Sequence, residues 1–500
     1  MSNLSELLPA GGGGKNVNFV ASGTLGNGKT VILNSNGTVT VVGVSTGSES
    51  LGSPHDIAGS TSIGYGLSVT YNVTEDKLVA VYFKSGDSDA YAVVGTVSGT
   101  TISWGTPVNA SGAITGDNRP RVESIPNTSK VLFCFTTSAG GSAAVGTISG
   151  TSITFGTVTN YVSTGALPKG LSMAWDSGNS QMMITYFTAY DNDVFAMAAT
   201  ITGTTVSFTT QGSARVLSSG GNCINTDLAY DTNAAAFVAS YRNGSNLGYC
   251  IVFTSDGTNI TKGTQTQLPV YSNTNGVGSV SYDSTAQKVV FSMKDDSAAG
   301  YGIVGTVSGT SITFGTPTVF YTGALNTSGT GMGGVYAGSE AGTTTIVYTP
   351  TSDNYTYYVN GTVSGTGITF NTPVRAYSDN ATVTRTGICP VKDGKVCILL
   401  HPSNTVGSMV DGYGYGAILQ NVATLTNLTS TNLIGITSEA TSSGGTAKIN
   451  TWGGINEAQT SLTIASDYYA QTDGTITTAT AGQKLGTAIS TTTINMKDLT

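Results

Sequence analysis

The chain has 500 residues, of which 67 are glycine and only 10% are charged, with a formal net charge of −8. No basic stripe accompanies this acidic balance, which argues against a nucleic-acid partner. Low charge combined with frequent alternation of apolar residues excludes a disordered chain. Glycine supplies tight turns and β-branched residues suit pleated strands, so the composition predicts an ordered, all-β protein.

The N-terminal segment, MSNLSELLPAGGGGKNV, lacks the basic and apolar regions of a secretory signal. No window reaches the ~18 consecutive apolar residues that a membrane helix needs, so we expect no membrane insertion. Gly11–Gly14 predicts a flexible linker after a short tag, within a first segment at residues 1–20. Farther along, Gly28–Val44 predicts a pair of strands joined by an Asn36-Gly37 turn.

A short hairpin then recurs along the chain. Its clearest copies, GTVSGTTISWGTP, GTISGTSITFGT, GTVSGTSITFGTP and GTVSGTGITFNTP, begin at Gly95, Gly146, Gly305 and Gly361. Six turn glycines align: Gly99, Gly150, Gly203, Gly257, Gly309 and Gly365. Successive glycines are separated by 51 residues (Gly99 to Gly150) to 56 residues (Gly309 to Gly365). A period of this size indicates repeated supersecondary units that pack on one another.

Each unit contains two further strands before its hairpin. In the fifth unit we predict strands A to D at Ser279–Tyr282, Lys288–Met293, Tyr301–Val307 and Ser311–Thr316, with a Ser308-Gly309 turn between C and D. Strand A recurs as SVTYN, SMAWD, DLAYD and SVSYD. The aromatic residue would pack between neighbouring sheets, and the Asn or Asp after it would bond its own backbone in the A–B turn.

Four antiparallel strands per repeated unit are typical of a β-propeller blade. Six units carry the hairpin, and a seventh begins at Gly387 but lacks it. We therefore predict a seven-bladed β-propeller at residues 21–421, closed by an N-terminal strand from Gly28–Val44, because unpaired blade edges would favour aggregation. Six and eight blades are the alternatives.

After about Asn421 the period is lost, although apolar and polar residues still alternate. We predict a separate, small β-sandwich-like domain at residues 422–500. Such a domain could remain a compact sandwich or form a trimer, and the sequence does not decide the oligomeric state.

Residues that commonly carry catalysis are sparse. The five cysteines include no C-x-x-C pair, and Cys134 and Cys397 lie in apolar runs, so we interpret the cysteines as buried core residues. The two histidines, His55 and His401, have no acidic residue or cysteine at metal-ligand spacing, and no G-x-S-x-G motif is present. A glycosidase would require two carboxylates at a set separation, which the sequence does not identify. We therefore expect that the protein is not an enzyme.

Acidic residues in the predicted B–C loops are the best candidates for a binding site. The B–C and D–A loops share one rim of a propeller, so these carboxylates would form a ring there. The ring would suit Ca²⁺ or sugar hydroxyls, and a solvated surface is the alternative. Neighbouring tyrosines would stack on pyranose rings, with packing between blades as the alternative. The candidates are Asp87, Asp89, Tyr190, Asp191, Asp193, Asp295, Asp296, Asp353 and Tyr355.

The two ends of the chain resemble known proteins. LSELLPAGGGGKNVNFVASGTLGNGKTVIL, at Leu4–Leu33, resembles the N-terminal segments of virion structural proteins of tailed bacteriophages, tail-fibre-like proteins among them. The segment from GITSEA to LGTAIS, at Gly435–Ser490, is similar to a small β-domain found at the ends of such proteins. The resembling segments contain no site motif, so no catalytic residue is carried over.

The resemblance implies a virion protein that is synthesised in the host cytoplasm and has other virion proteins as partners. Our first hypothesis is a tail-fibre-like adhesin whose propeller rim binds host surface glycans. A second hypothesis is a capsid-decorating or tail-assembly protein without receptor binding. A glycan-cleaving enzyme is the third.

Overall fold

The computed structural model divides into two units, each built from β-strands. It describes residues 16–46, 49–84, 89–113, 120–137, 140–162, 168–188, 193–208, 215–218, 224–243, 247–270, 277–295, 297, 299–325, 336–340, 342–353, 355–376, 383–402, 409, 412–421, 424–429, 431–480 and 482–496. No helix within these ranges is long and apolar enough to cross a membrane. Unit 1 combines Met1–Gly47 with Val422–Thr500, and unit 2 is Ser48–Asn421. The Gly11–Gly14 linker and the first fifteen residues of the predicted 1–20 segment lie outside the described residues.

Unit 2 is a β-propeller of seven blades, as predicted, but each blade is a five-stranded sheet rather than a four-stranded one. Each sheet has strands A to D in order, and a short strand E that also pairs with strand C. Blade 1 comprises Ile63–Asn72, Lys77–Lys84, Asp89–Ser98, Thr101–Trp104 and Val108–Ala113. Blade 2 comprises Arg121–Ile125, Lys130–Thr137, Gly140–Ser149, Ser152–Phe155 and Thr159–Val162. Blade 3 comprises Pro168–Asp176, Gln181–Thr188, Val194–Thr202, Thr205–Phe208 and Arg215–Ser218.

The remaining four blades follow the same plan. Blade 4 comprises Ile224–Asp231, Ala236–Arg242, Gly248–Ser255, Ile260–Lys262 and Thr266–Gln267. Blade 5 comprises Val277–Asp283, Lys288–Lys294, Gly300–Ser308, Ser311–Phe314 and Thr318–Tyr321. Blade 6 comprises Tyr336–Glu340, Thr343–Tyr348, Tyr357–Ser364, Gly367–Phe370 and Val374–Arg375. Blade 7 takes Val383–Val391, Lys395–Pro402 and Tyr415–Gln420 from its own repeat, and Ser50–Leu51 and His55–Asp56 from the N-terminal side.

The hairpin turn lies one residue later than predicted. Ser308 pairs with Ser311, so the two turn residues are Gly309 and Thr310 rather than Ser308 and Gly309. Gly309 has a φ of 56°, and all six aligned glycines have positive φ. A glycine at the first central position is the requirement of a type II′ turn, which matches the twist of the paired strands.

A second glycine of the repeat explains why the hairpin changes so little between blades. In blade 5, Gly315 lies between strands D and E, and a methyl group there would overlap the carbonyl oxygen of Thr366 in the C–D turn of blade 6. The same close approach joins Gly52 to Thr100, Gly105 to Thr151, Gly156 to Thr204 and Gly263 to Thr310. Each outer strand therefore bends where the next hairpin lies against its backbone.

The propeller is closed by an N-terminal segment, but not by the predicted one. Leu51 pairs with Leu419 and His55 pairs with Gly416, while the Glu49 carboxylate accepts hydrogen bonds from Tyr358 Oη (2.7 Å) and Asn360 Nδ2 (2.6 Å). Gly52-Ser53-Pro54 occupies the place of the Gly-Thr-Pro break in the other blades. The Gly28–Val44 pair does form a hairpin, but Thr30–Leu33 pairs with Leu433–Thr437 in unit 1. Its alternating residues suit any open sheet edge, which is why the prediction chose the wrong partner.

The Asp or Asn at the end of strand A has the structural role predicted for it. Asp283 is 1% exposed, and its Oδ1 accepts hydrogen bonds from the backbone N–H groups of Thr285 (2.9 Å) and Ala286 (3.0 Å). Asp176 and Asp231 make the equivalent pairs of bonds. These carboxylates order the A–B turns.

The hydrophobic core of the propeller lies between neighbouring blades. Strand B of blade 1, KLVAVYFK, buries five consecutive residues, because both faces of the sheet are covered. The apolar clusters accordingly combine residues of adjacent blades, such as Leu132 of blade 2 with Ile184 of blade 3. Cys134, Cys250, Cys389 and Cys397 are buried and unpaired by disulfides, which confirms their interpretation as core residues, whereas Cys223 lies outside the described part of the chain.

Unit 1 consists of two five-stranded sheets and a two-stranded ribbon. The first sheet has the order Asn16–Val20, Thr446–Asn450, Leu433–Thr437, Thr30–Leu33 and Val39–Val41. The second has the order Ile455–Asn456, Ile494–Met496, Gln483–Ala488, Asp467–Ala470 and Ile476–Thr477. Ile32 and Leu433 of the first sheet pack with Leu485 and Ile494 of the second, so the unit is a β-sandwich.

The predicted boundaries 21–421 and 422–500 therefore need one correction. The C-terminal sandwich begins where predicted, but it also contains the strands before Ser48. The propeller is an insertion between two parts of unit 1. Val44–Thr46 and Thr424–Thr426, which flank the insertion, pair with each other in the ribbon.

Candidate functional site

An aromatic residue near the start of strand C recurs in six of the seven blades. It lies four positions before the residue that opens the hairpin, as Tyr91 does before Gly95. The set is Tyr91, Phe195, Tyr249, Tyr301, Tyr357 and Tyr415. Four of these rings stack on a buried aromatic residue of strand B, with ring centroids 5.4–6.3 Å apart. Burial of the inner ring therefore holds the outer, partly exposed ring in a fixed orientation.

Blade 6 has the most complete arrangement of groups around this aromatic residue. Tyr357 Oη donates to Asp353 Oδ2 (2.8 Å), and the backbone N–H of Tyr355 donates to Asp353 Oδ1 (3.2 Å). The exposed Arg375 pairs with Tyr357 across strands C and E, and its Cζ lies 3.8 Å from the centroid of the Tyr355 ring. A carboxylate, a guanidinium and two tyrosines thus meet at one partly exposed edge of the blade.

Blades 1 and 5 repeat the pairing of tyrosine with carboxylate. In blade 1, Asp89 lies two residues before Tyr91 and accepts a hydrogen bond from Asn109 Nδ2 (2.6 Å), while Lys84 Nζ lies 5.0 Å from the Tyr91 ring centroid. In blade 5, Asp295 Oδ1 accepts from the backbone N–H of Ala299 (2.9 Å). We call the groups around Tyr91, Tyr301 and Tyr357 the tyrosine–aspartate sites.

Ionisation of the tyrosines reflects their carboxylate neighbours. The hydrogen bond to Asp353, followed by desolvation, raises the pKa of Tyr357. Desolvation, followed by the hydrogen bond to Asp295, raises the pKa of Tyr301. Both hydroxyl groups therefore keep their protons at neutral pH and act as hydrogen-bond donors.

The structure brings four of the predicted residues into these sites. Asp89, Asp295, Asp353 and Tyr355 each lie beside a strand-C tyrosine, and Asp193 has the matching place before Phe195 in blade 3. Asp87, Tyr190, Asp191 and Asp296 lie outside the described residues. The prediction missed Tyr91 and Tyr301, although the fixed spacing of these tyrosines before the hairpin glycine could have identified them. It also missed the strand-E residues Asn109 and Arg375.

Groups suited to metal binding or nucleophilic chemistry do not come together in the part of the chain that is described. No three His, Cys, Asp or Glu side chains there are arranged to hold a metal ion. His401 Nε2 lies 3.2 Å from the Ile63 carbonyl oxygen, in the packing between blades 7 and 1, and His55 lies in the closing strand E. The sites therefore offer hydrogen bonds, stacking and charge.

Comparison with known proteins identifies the fold. No family model matches the chain, and no curated protein matches it. The BP39L lectin from Burkholderia pseudomallei aligns with a TM-score of 0.54 and 10% identity, over 74% of this chain and 99% of the lectin. AofleA from Arthrobotrys oligospora aligns with a TM-score of 0.43 and 11% identity, over 68% and 94% of the two chains. The polysaccharide lyase Uly1 aligns with a TM-score of 0.45 and 8% identity, over 81% and 100%. The likeness to BP39L agrees with the blade topology, and unit 2 is a β-propeller of the architecture found in that lectin.

Proposed function

We propose that this protein is an adhesin of the tail-fibre type, whose propeller binds host surface glycans at the tyrosine–aspartate sites. The observation that carries the proposal is a partly exposed strand-C tyrosine at the same place in blades 1, 5 and 6. It is bonded to a loop carboxylate in blades 5 and 6, and in blade 1 it lies two residues after Asp89. The propeller fold shared with a protein described as a lectin supports it. The resemblance of both chain ends to tailed-phage virion proteins supports a role in a virion, with unit 1 as the part that attaches to other virion proteins.

The chemistry of the sites suits a sugar ring. Tyrosine presents an apolar face with a polar edge, which complements the C–H face and hydroxyl groups of a pyranose. Carboxylates accept two hydrogen bonds from adjacent hydroxyls, and Arg375 adds donors in blade 6. Each site lies at a partly exposed blade edge, so binding at several blades of one propeller would strengthen attachment through avidity.

Glycan-array binding by the full chain tests this proposal. Asp353→Asn and Tyr357→Ala should each weaken binding to the preferred glycan, by about tenfold for the blade 6 site, because a charged hydrogen bond or the stacking face is lost. Asp473→Asn is the matched control, since Asp473 is an exposed carboxylate of unit 1 that bonds the Thr475 backbone in its own turn. Binding that is absent, or equal in all three variants, would contradict the proposal.

A structural role without receptor binding is the second candidate, and one observation favours it. Asp295 and Asp353 already accept hydrogen bonds from their own loops, so the same groups could serve to order the blade edges. Electron microscopy of the intact particle separates the two functions. An adhesin should lie at the tail tip with its propeller face free, whereas a decorating protein should have that face packed against the capsid or tube.

A further inference from the structure

A layer of strand-A residues around the propeller channel carries charged residues in two blades. Ser68, Ser172 and Ser279 occupy equivalent positions in blades 1, 3 and 5, as the pairing of strands A and B shows. At the same position blade 2 has Arg121 and blade 4 has Asp227. Serine is thus the commonest residue at this position, and two charges of opposite sign replace it in blades 2 and 4. Tyr336 and Gly387 stand at the same position in blades 6 and 7.

These residues line a cavity of about 170 Å³. Its wall also includes Glu123, two residues after Arg121, and Gly387 of blade 7. The volume exceeds the ~150 Å³ of an engineered protein cavity that holds benzene, so one six-membered ring with small substituents fits. Glycine in blade 7 and serine in three other blades leave this space open.

Asp227 has a structural explanation. Its Oδ1 accepts a hydrogen bond from Ser172 Oγ (2.9 Å), and its Oδ2 accepts from Ser279 Oγ (2.6 Å) and from the backbone N–H of Val280 (2.9 Å). The carboxylate therefore joins blade 4 to blades 3 and 5. Its remaining lone pairs face the cavity, where they can still accept.

Arg121 has no comparable explanation. Its Nε donates to the carbonyl oxygen of Leu171 (2.8 Å). Among the described residues no carboxylate forms an ion pair with Arg121, and none accepts a hydrogen bond from its two terminal nitrogens. A guanidinium that lines a cavity without a neighbouring anion can donate these N–H groups to a bound carboxylate.

Glu123 lies in the same cavity but does not neutralise Arg121. Its Oε1 accepts hydrogen bonds from Thr70 Oγ1 (3.2 Å) and from the Ser124 backbone N–H (3.1 Å), and Oε2 has no partner among the described residues. Desolvation, which outweighs these two hydrogen bonds, raises the pKa of Glu123 to about 7. A ligand in the cavity therefore meets the guanidinium of Arg121 and the carboxyl group of Glu123, which accepts hydrogen bonds when it is ionised and can donate one when it is neutral.

We propose that the channel binds one small, hydroxylated carboxylate of the sugar-acid class. Its carboxylate pairs with the terminal nitrogens of Arg121 in the bidentate geometry that guanidinium favours. Its hydroxyl groups bond to Ser68, Asp227 and Glu123. This site is distinct from the tyrosine–aspartate sites and does not depend on them.

Calorimetric titration of the full chain with D-glucuronate, D-glucose and acetate tests the proposal. Glucuronate should bind with one ligand per chain, and glucose and acetate should bind at least about tenfold more weakly, because each lacks either the charge or the hydroxyl groups. Arg121→Ser installs the residue of blades 1, 3 and 5 and should preserve the fold while it abolishes binding. Arg121→Lys keeps the charge without the planar fork and should retain weak binding.

Lys448→Ser is the matched control, because it removes an exposed cation of unit 1 that belongs to neither the channel nor the tyrosine–aspartate sites. It should leave glucuronate affinity unchanged. Arg121→Ser should leave glycan-array binding unchanged, so failure of this proposal and failure of the adhesin proposal are distinguishable. Absence of glucuronate binding to the native chain, equal affinity for glucose, or undiminished binding by Arg121→Ser would each overturn the channel site. If Arg121→Ser fails to fold, the Lys variant and the ligand series decide the question.

Discussion

Glu123→Gln should remove a pH dependence of propeller stability. Burial raises the pKa of this carboxyl from 4.5 to about 7, so the folded chain holds the proton more tightly than the unfolded chain does. Between these two values the native state binds more protons, and its stability falls as the pH rises. Below pH 4.5 both states are protonated, and above pH 7 the folded state carries the full penalty of a buried charge.

The magnitude follows from the interval between the two pKa values. Each pH unit of that interval corresponds to ~1.4 kcal/mol, so the upper limit is about 3 kcal/mol at pH 8. The side chain is partly exposed within the channel, which lowers the expected effect to roughly 1–3 kcal/mol. Glutamine keeps the oxygen that accepts from Thr70 and Ser124 but cannot ionise, so the variant should be more stable than the native chain at pH 8 by this amount.

Urea denaturation at pH 4.5, 6 and 8, followed by the fluorescence of Trp104 and Trp175 in the propeller, measures the difference. Subtracting the native curve from the Glu123→Gln curve cancels the other titrating groups. Glu75→Gln, in the A–B turn of blade 1, is the control for the removal of a glutamate charge elsewhere in the propeller. A gap that stays constant from pH 4.5 to 8, or grows as the pH falls, would refute the assignment of this carboxyl as desolvated.

Three further substitutions test the closure and the repeat. Glu49→Ala should destabilise the propeller by about 2 kcal/mol in urea denaturation, since two buried donors of blade 6 lose their acceptor; an unchanged midpoint would mean that strand pairing alone closes the ring. Gly315→Asn should lower the melting temperature, because the hairpin of the next blade lies against this backbone. Asn371→Gly should not lower it, because blade 7 has no hairpin of its own at the matching place. Equal losses of melting temperature in the two variants would contradict the steric argument. Asp231→Ala should cost about 1–2 kcal/mol through the uncapped A–B turn, and Asp231→Asn should recover most of it, as measured by thermal unfolding.

Repetition made most of the fold predictable from the sequence. The turn glycines and the Asp or Asn after strand A recur at fixed spacing, and each reflects a local requirement of the backbone. Counting these repeats predicts the number of blades. The closing strands could not be chosen by alternation, because Gly28–Val44 and Ser50–Asp56 are both compatible with an open edge. The sequence feature that identifies the closing strands is Gly52-Ser53-Pro54, which matches the Gly-Thr-Pro break of the other blades but lies near the N-terminus.

The sites were harder to predict than the fold. Acidic loop residues such as Asp353 were found because charged residues are rare in this chain. The tyrosine beside it, Tyr357, could be interpreted from the sequence either as a recognition residue or as packing between blades. Its pairing with the exposed Arg375 favours the first interpretation. The position of Arg121 in the channel was not predicted, because blade 2 lacks the S-x-x-[YW]-[ND] pattern that marks strand A in blades 1, 3 and 5.

The insertion of the propeller between two parts of unit 1 sets the order of events on the ribosome. Asn16–Val20 and Thr30–Leu33 are synthesised first, yet their partners Thr446–Asn450 and Leu433–Thr437 follow roughly 400 residues later, about 20–80 s at ordinary rates of translation. Leu419 and Gln420, which pair with Ser50–Leu51, are synthesised after an interval that is almost as long. Throughout that interval the nascent chain carries strands without partners at its leading end, so its yield depends on how well they are shielded until Leu433–Thr437 and Thr446–Asn450 are synthesised.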